Sequence, residues 1–133
     1  MTTTSKAIPR LACAYPQLHV LDVDRAAKFY VDRLGFTLIY LYGTPAFYGL
    51  VERDGAGFNF RHVDAPTMDA ALRDRESLIS ANIPVYGIDA LFDELTARDV
   101  PMAQALTVQP WGGKDFIVRD PDGNLICFGA ASA

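Results

Sequence analysis

One spacing, repeated, constrains this chain more than any other feature. Asp22 precedes an amphipathic run and Asp89 precedes another, 67 residues later. Asp54-Gly55 and Asp122-Gly123 each read as the reversal of a β-hairpin, and they lie 68 residues apart. Asp is a helix-capping residue, and Asp-Gly is a strong short hairpin signal because Gly takes the left-handed turn position. Two independent landmarks with nearly one offset imply a duplicated unit. Each copy reads strand, helix, then three strands.

In the first copy a strand is expected at about Tyr15–Leu21. A helix then runs from the cap Asp22 to Leu34, with Ala27, Tyr30, Val31 and Leu34 at helical spacing and Gly35 as its stop. Strands follow at about 36–42, 47–53 and 56–62. In the second copy strands are expected at about 83–88, 102–108, 114–119 and 125–128. Asp89 caps the helix that carries Leu91, Phe92 and Leu95. The fold class is therefore α+β: two βαβββ modules, mixed sheets curved around a cavity, helices on the outer faces. The boundaries expected are module 1 at about 14–62, a polar linker at 63–80 with a helical turn or two, and module 2 at about 81–129, all within one domain, 1–133. Residues 1–10 read as a polar arm. A lone module would leave one sheet face uncovered, so two must pair, within the chain or across a dimer.

Composition narrows the function classes. Net charge is −4 and there is no basic run, so nucleic acid is not an expected partner. No stretch of 18 apolar residues occurs, which excludes a membrane-spanning helix. MTTTSKAIPR lacks the apolar segment of a secretory signal. Cys13 and Cys127 lack CxxC spacing; reduced thiols in the cytoplasm are the expectation over a disulfide.

Strand alternation sorts side chains by face. Leu18 and Val20 belong under the helix, which leaves Tyr15, Gln17 and His19 on the other side. Across Asp54-Gly55, Leu50 pairs with Asn59 and Tyr48 with Arg61. Across the second turn, Phe116 is expected opposite Cys127 and Val118 opposite Leu125, with Ile117, Ile126 and Phe128 in the core. Tyr40 and Tyr42 join the cavity face, and Trp111 stands at its rim. Aromatic residues with a few polar groups make a ligand site, the alternatives being a dimer interface or plain core. The expected ligand-binding set is Trp111, Tyr48, Phe116, Asn59, Arg61, His19, Tyr40, Tyr42 and Cys127. This face carries Arg61 and His19 and no carboxylate, which leaves room for an aromatic acid or other anionic ligand. His19 and Cys127 are not expected to be catalytic: neither has a sequence neighbour that would activate it.

Two segments, LHVLDVDRAAKFYVDRLGF and QPWGGKDFIVRDPDGNLICF, resemble the vicinal oxygen chelate superfamily, which contains glyoxalase I, extradiol dioxygenases and bleomycin resistance proteins. The resemblance runs from about Ala14 to Phe128. It implies four metal-ligand positions in the metal-using members, and they fall here on Tyr15, Asn59, Ile83 and Cys127. None is His, Asp or Glu, and Ile83 has no donor atom, so no metal or other cofactor is expected. Tyr15-Pro16-Gln17-Leu18 and Gln109-Pro110-Trp111-Gly112 resemble the metal-free bleomycin resistance branch. That branch implies small-molecule sequestration, antibiotic or aromatic, by a homodimer in which Trp111 stacks on the ligand and Pro9 lets the arm cross to the partner. The alternative is a glyoxalase- or dioxygenase-like lyase or oxidoreductase in the same cavity.

Overall fold

The structure, a computed structural model, describes residues 7–131. Of the expected N-terminal arm, residues 1–6 lie outside the described residues, and 7–16 carry neither helix nor strand. The elements are β1 (Gln17–Val20), α1 (Val23–Asp32), β2 (Thr37–Tyr42), β3 (Tyr48–Arg53) and β4 (Ala56–His62). They continue with α2 (Ala70–Glu76), β5 (Ala81–Val85), α3 (Ile88–Ala97), β6 (Met102–Val108), β7 (Lys114–Arg119) and β8 (Leu125–Ala130). Two four-stranded mixed sheets result, in the orders β1-β4-β3-β2 and β5-β8-β7-β6. In each, the first strand runs parallel to the last while the others are antiparallel. The fold is α+β, and the two modules share one topology.

Local chemistry explains the boundaries. The Asp22 carboxylate accepts from the Arg25 amide, as expected of a cap. Gly35 has φ +75°, and the Phe36 amide closes back onto the Tyr30 carbonyl at 3.0 Å. Val23, Ala26, Ala27 and Tyr30 form the buried stripe of α1. The Tyr30 ring packs against Phe36, Phe58 and Phe60 at 5.1–5.9 Å between centroids. The linker contains α2, whose cap Asp69 accepts from the Ala71 and Leu72 amides.

Two expectations are corrected. Asp89 does not cap α3. β5 begins at Ala81 and ends at Val85, so the helix starts earlier, on Gly87 at φ +81°, with no side-chain cap bond. Asp89 lies in the first turn, where it favours the helix dipole, and it pairs with Lys114 at 2.5 Å. The second hairpin is one residue out of the expected register. Phe116 faces Phe128, Ile117 faces Cys127 and Val118 faces Ile126. The cause is a tight turn: the Asp120 carboxylate accepts from the backbone amides of Asp122 and Asn124, and the Asp120 amide bonds the Asn124 carbonyl. A one-residue slip exchanges the faces of a strand. Phe116 and Val118 therefore lie in the core, where Phe116 meets Phe92 of α3 and Phe128.

The modules are joined at both ends of α1. At its start, the Leu21 amide and the Arg25 guanidinium reach the Asp122 carboxylate. The Tyr30 hydroxyl donates to Asp120 at 2.9 Å, within the core. At its end, Arg33 donates to the Asp99 carbonyl, and Arg53 pairs with Glu94.

Candidate functional site

α1 packs on one side of the first sheet, against β2, β3 and β4, and the residues that alternate with its buried contacts form the other face. The first-hairpin register is the expected one, Tyr48 opposite Arg61 and Leu50 opposite Asn59. Gln17 lies beside Asn59 and His19 beside Arg61. Tyr40 stands opposite Leu50 and Tyr42 opposite Tyr48, which brings both tyrosines onto this face. Six of the nine expected residues are thus together: His19, Tyr40, Tyr42, Tyr48, Asn59 and Arg61.

Polar groups on this face hold one another. The Gln17 amide donates to the Tyr48 hydroxyl at 2.7 Å, and His19 Nδ1 meets the Thr67 hydroxyl at 2.9 Å. The Tyr15 phenol donates to the Glu52 carboxylate, and that bond holds its pKa above the ordinary phenol value. Gly57 makes room for this ring: a Cβ there would lie 2.7 Å from Tyr15 Cε1. Arg61 is drawn aside. Its guanidinium lies over the Phe47 ring, 5.1 Å from the centroid, and donates to the His62 carbonyl. Tyr42 is 72% exposed, a large aromatic surface left to solvent.

The face of the second sheet turned away from α3 carries Asp115, Ile117 and Cys127, with Gln104 of β6 beside Ile117, and α2 reaches it where Asp74 pairs with Arg119. Phe116, expected here, is on the other side for the register reason given above. Cys127 is on this face but buried; burial first, and then the charge of Asp115, push its thiol pKa up. Both effects disfavour the thiolate, so it has no activated nucleophile's surroundings. Trp111 is 76% exposed on the β6–β7 loop, at the end of this sheet.

The expectation of a face without carboxylates is overturned by Glu52 and Asp115. Both were legible by alternation: Glu52 lies two residues past Leu50, and Asp115 alternates with buried Phe116. The cations nearest these faces are engaged. Lys114 is paired with Asp89, and Arg119 with Asp74 of α2 at 2.5 Å. Gln104, which bonds Asp115, carried no sequence signal, and Gln109 stood in the Trp111 motif without a role. β6 has two register shifts, so alternation fails along it.

The four metal-ligand positions do not fit a divalent ion. Tyr15 is bonded to Glu52, Asn59 offers an amide, and Cys127 is a buried thiol of raised pKa. Ile83 stands opposite Phe128 and packs against the core. Among the described residues no three His, Cys, Asp or Glu side chains are grouped to hold a metal.

A cleft of about 640 Å³ opens between the modules, lined by Leu34, Phe36, Ile83 and Leu91 with the Arg53–Glu94 pair. None of the residues placed on the two sheet faces lines it. An open sheet face becomes a cavity only when a second sheet stands opposite it.

Residues 12–128 match the Glyoxalase/Bleomycin resistance protein/Dioxygenase superfamily. The chain belongs to this superfamily. It is 33% identical over 121 residues to the bleomycin resistance protein of Geobacillus stearothermophilus, covering 85% of this chain and 92% of that one. The crystal structure of the bleomycin-binding protein from bleomycin-producing Streptomyces verticillus, complexed with copper(II)-bleomycin, is similar with a TM-score of 0.69. The identity is 29%, over 94% of this chain and 100% of that chain. The bleomycin resistance determinant encoded on transposon Tn5 shares the fold, with a TM-score of 0.73 at 20% identity over 91% and 98% of the two chains. The residues at the four metal-ligand positions, Tyr15, Asn59, Ile83 and Cys127, include no His, Asp or Glu. No helix is long and apolar enough to cross a membrane.

Proposed function

We propose that this protein binds and sequesters a small molecule, without a metal, in a cavity that a second copy completes. The carrying observation is the exposed aromatic surface of Tyr40, Tyr42 and Trp111, beside the ordered polar groups of the two sheet faces. Large exposed aromatic surface of this kind marks a binding site. The relatives named for bleomycin resistance and the copper(II)-bleomycin complex support a ligand of that kind. Glu52 and Asp115, with neighbouring cations engaged elsewhere, favour a ligand that brings donors or positive charge over an anionic one. Cys13 and Cys127, both free thiols, support a cytoplasmic setting.

The dimer follows from the same faces. Ile8 and Leu11 are 91% and 96% exposed on a segment without secondary structure, and an arm laid across a partner would cover them. The test uses the single Trp. Metal-free bleomycin and copper(II)-bleomycin are titrated while Trp111 emission is followed. A saturable change is expected; an unaltered spectrum up to about 1 mM drug, the limit of weak binding, rejects the reading.

A further inference from the structure

Trp111 stands on a loop that, by sequence, looks free to move: Gly112-Gly113 follows it. The structure pins that loop. The Gln109 amide bonds the Gly113 carbonyl at 2.7 Å, and the Gly112 amide bonds the Gln109 carbonyl at 2.9 Å. Below it, the Gln109 side-chain amide donates to Asp115 Oδ1 at 2.9 Å. Gln104 donates to the same oxygen at 2.6 Å and also reaches the Asp115 carbonyl. One carboxylate oxygen thus takes two amide donors, from β6 and from the start of the loop. Hydrogen bonds to a charged acceptor are the stronger kind. The indole folds over the loop so closely that a Cβ on Gly113 would lie 2.8 Å from its Nε1.

We propose that Gln104, Asp115 and Gln109 form a clamp that presets Trp111 for the ligand, making Gln109 and Asp115 positioning residues of the binding face. The role in binding rests on the function proposed above; the rigid loop does not. An ordered side chain loses less freedom when a ligand stacks on it, so a loose Trp111 binds more weakly. Gly113 belongs to the same device, because any larger residue displaces the ring.

Time-resolved fluorescence anisotropy of the ligand-free protein reads Trp111 alone. The fast component of the decay, local indole motion, is expected to grow in Gln109→Ala and Asp115→Ala. Asp115→Asn keeps an acceptor for both amides and restores the wild-type decay. In bleomycin titrations Gln109→Ala binds about tenfold more weakly, the scale of one side chain's lost ordering. Gly113→Ala, which leaves the clamp intact, shifts the emission by displacing the ring, and serves if the clamp variants do not fold. Unchanged decay in Gln109→Ala, or unchanged emission in Gly113→Ala, overturns the proposal. So does an Asp115→Asn decay as loose as that of Asp115→Ala, since an amide oxygen would then not hold the loop; the decay decides here because losing the Asp115 charge weakens a cationic ligand by itself. Failure of every form, wild type included, to bind bleomycin rejects the proposed function and leaves the anisotropy to decide the clamp.

Discussion

Arg53 and Glu94 meet across the junction of the modules as a two-pronged pair, Nη1 to Oε2 at 2.9 Å and Nη2 to Oε1 at 3.0 Å. Arg53 also donates to the Leu34 carbonyl, so one guanidinium ties the end of α1 to α3.

That pair has a pH signature. The hydrogen bond from Arg53 holds the Glu94 carboxyl below its ordinary value of 4.5. A lowered folded pKa contributes stability above the ordinary value and loses it as pH falls through the folded one. Glu94→Gln is expected to cost about 1 kcal/mol at neutral pH, as a partly exposed charged pair does. Urea denaturation should show that difference shrinking on acidification below the ordinary carboxylate value.

Asp120 carries the opposite sign. Burial raises its pKa above 3.8, against hydrogen bonds from Asn124 and Tyr30 that lower it. Its share of stability is therefore complete below 3.8 and declines as pH rises through the raised folded value. Asp120→Asn should lack that decline. Asp120→Ala strands the Tyr30 hydroxyl and two backbone amides in the core, at a cost of about 3 kcal/mol. Tyr30→Phe leaves Asp120 its Asn124 donors and costs about 1 kcal/mol. Denaturation of the two variants side by side tests the order.

Trp111→Ala should weaken bleomycin binding by about 2 kcal/mol, about thirtyfold, the size of a binding hot spot. The oligomer should survive, because the exposed arm and sheet faces do not depend on this residue. Calorimetric titration with light scattering on the same samples checks both. A Trp111→Ala variant that dissociates, or binds as well as wild type, removes the residue from the site.

Light scattering at micromolar concentration should return twice the 14.6 kDa chain mass. A value at the single-chain mass would reject the shared cavity.

Elemental analysis of purified protein should show no stoichiometric Zn, Fe, Ni or Mn, and a chelator should not alter the melting temperature. Ile83 at one of the four ligand positions is the reason: its side chain has no donor and sits against the core.

The first hairpin was legible to the residue because Asp54-Gly55 allows one pairing, and so the placement of Tyr48, Asn59 and Arg61 held. The second was not. Asp120-Pro121-Asp122-Gly123 announces a turn but not its length, which depends on the Asp120 carboxylate gathering two backbone amides. That bond cannot be read from residue order, and the slip moved Phe116 from the face to the core. The charged alternation of Asp115 and Arg119 around Phe116 and Val118 did carry the right answer. The start of α3 was missed because its cap is Gly87, which carries no capping side chain, while Asp89 looks like a cap. The Gln104–Asp115 contact was hidden because β6 shifts register twice, so alternation does not place Gln104.

The bond between Tyr30 and Asp120 also sets an order of events at the ribosome. The two residues are separated by 90 positions in the chain. At ordinary synthesis rates of 5–20 residues per second, Tyr30 emerges roughly 5–20 s before the carboxylate that its phenol needs. Until then the chain lacks the acceptor for that hydroxyl, and Arg25 and the Leu21 amide lack Asp122 as well. A chain that ends before Asp120 therefore lacks the acceptor for its own central phenol.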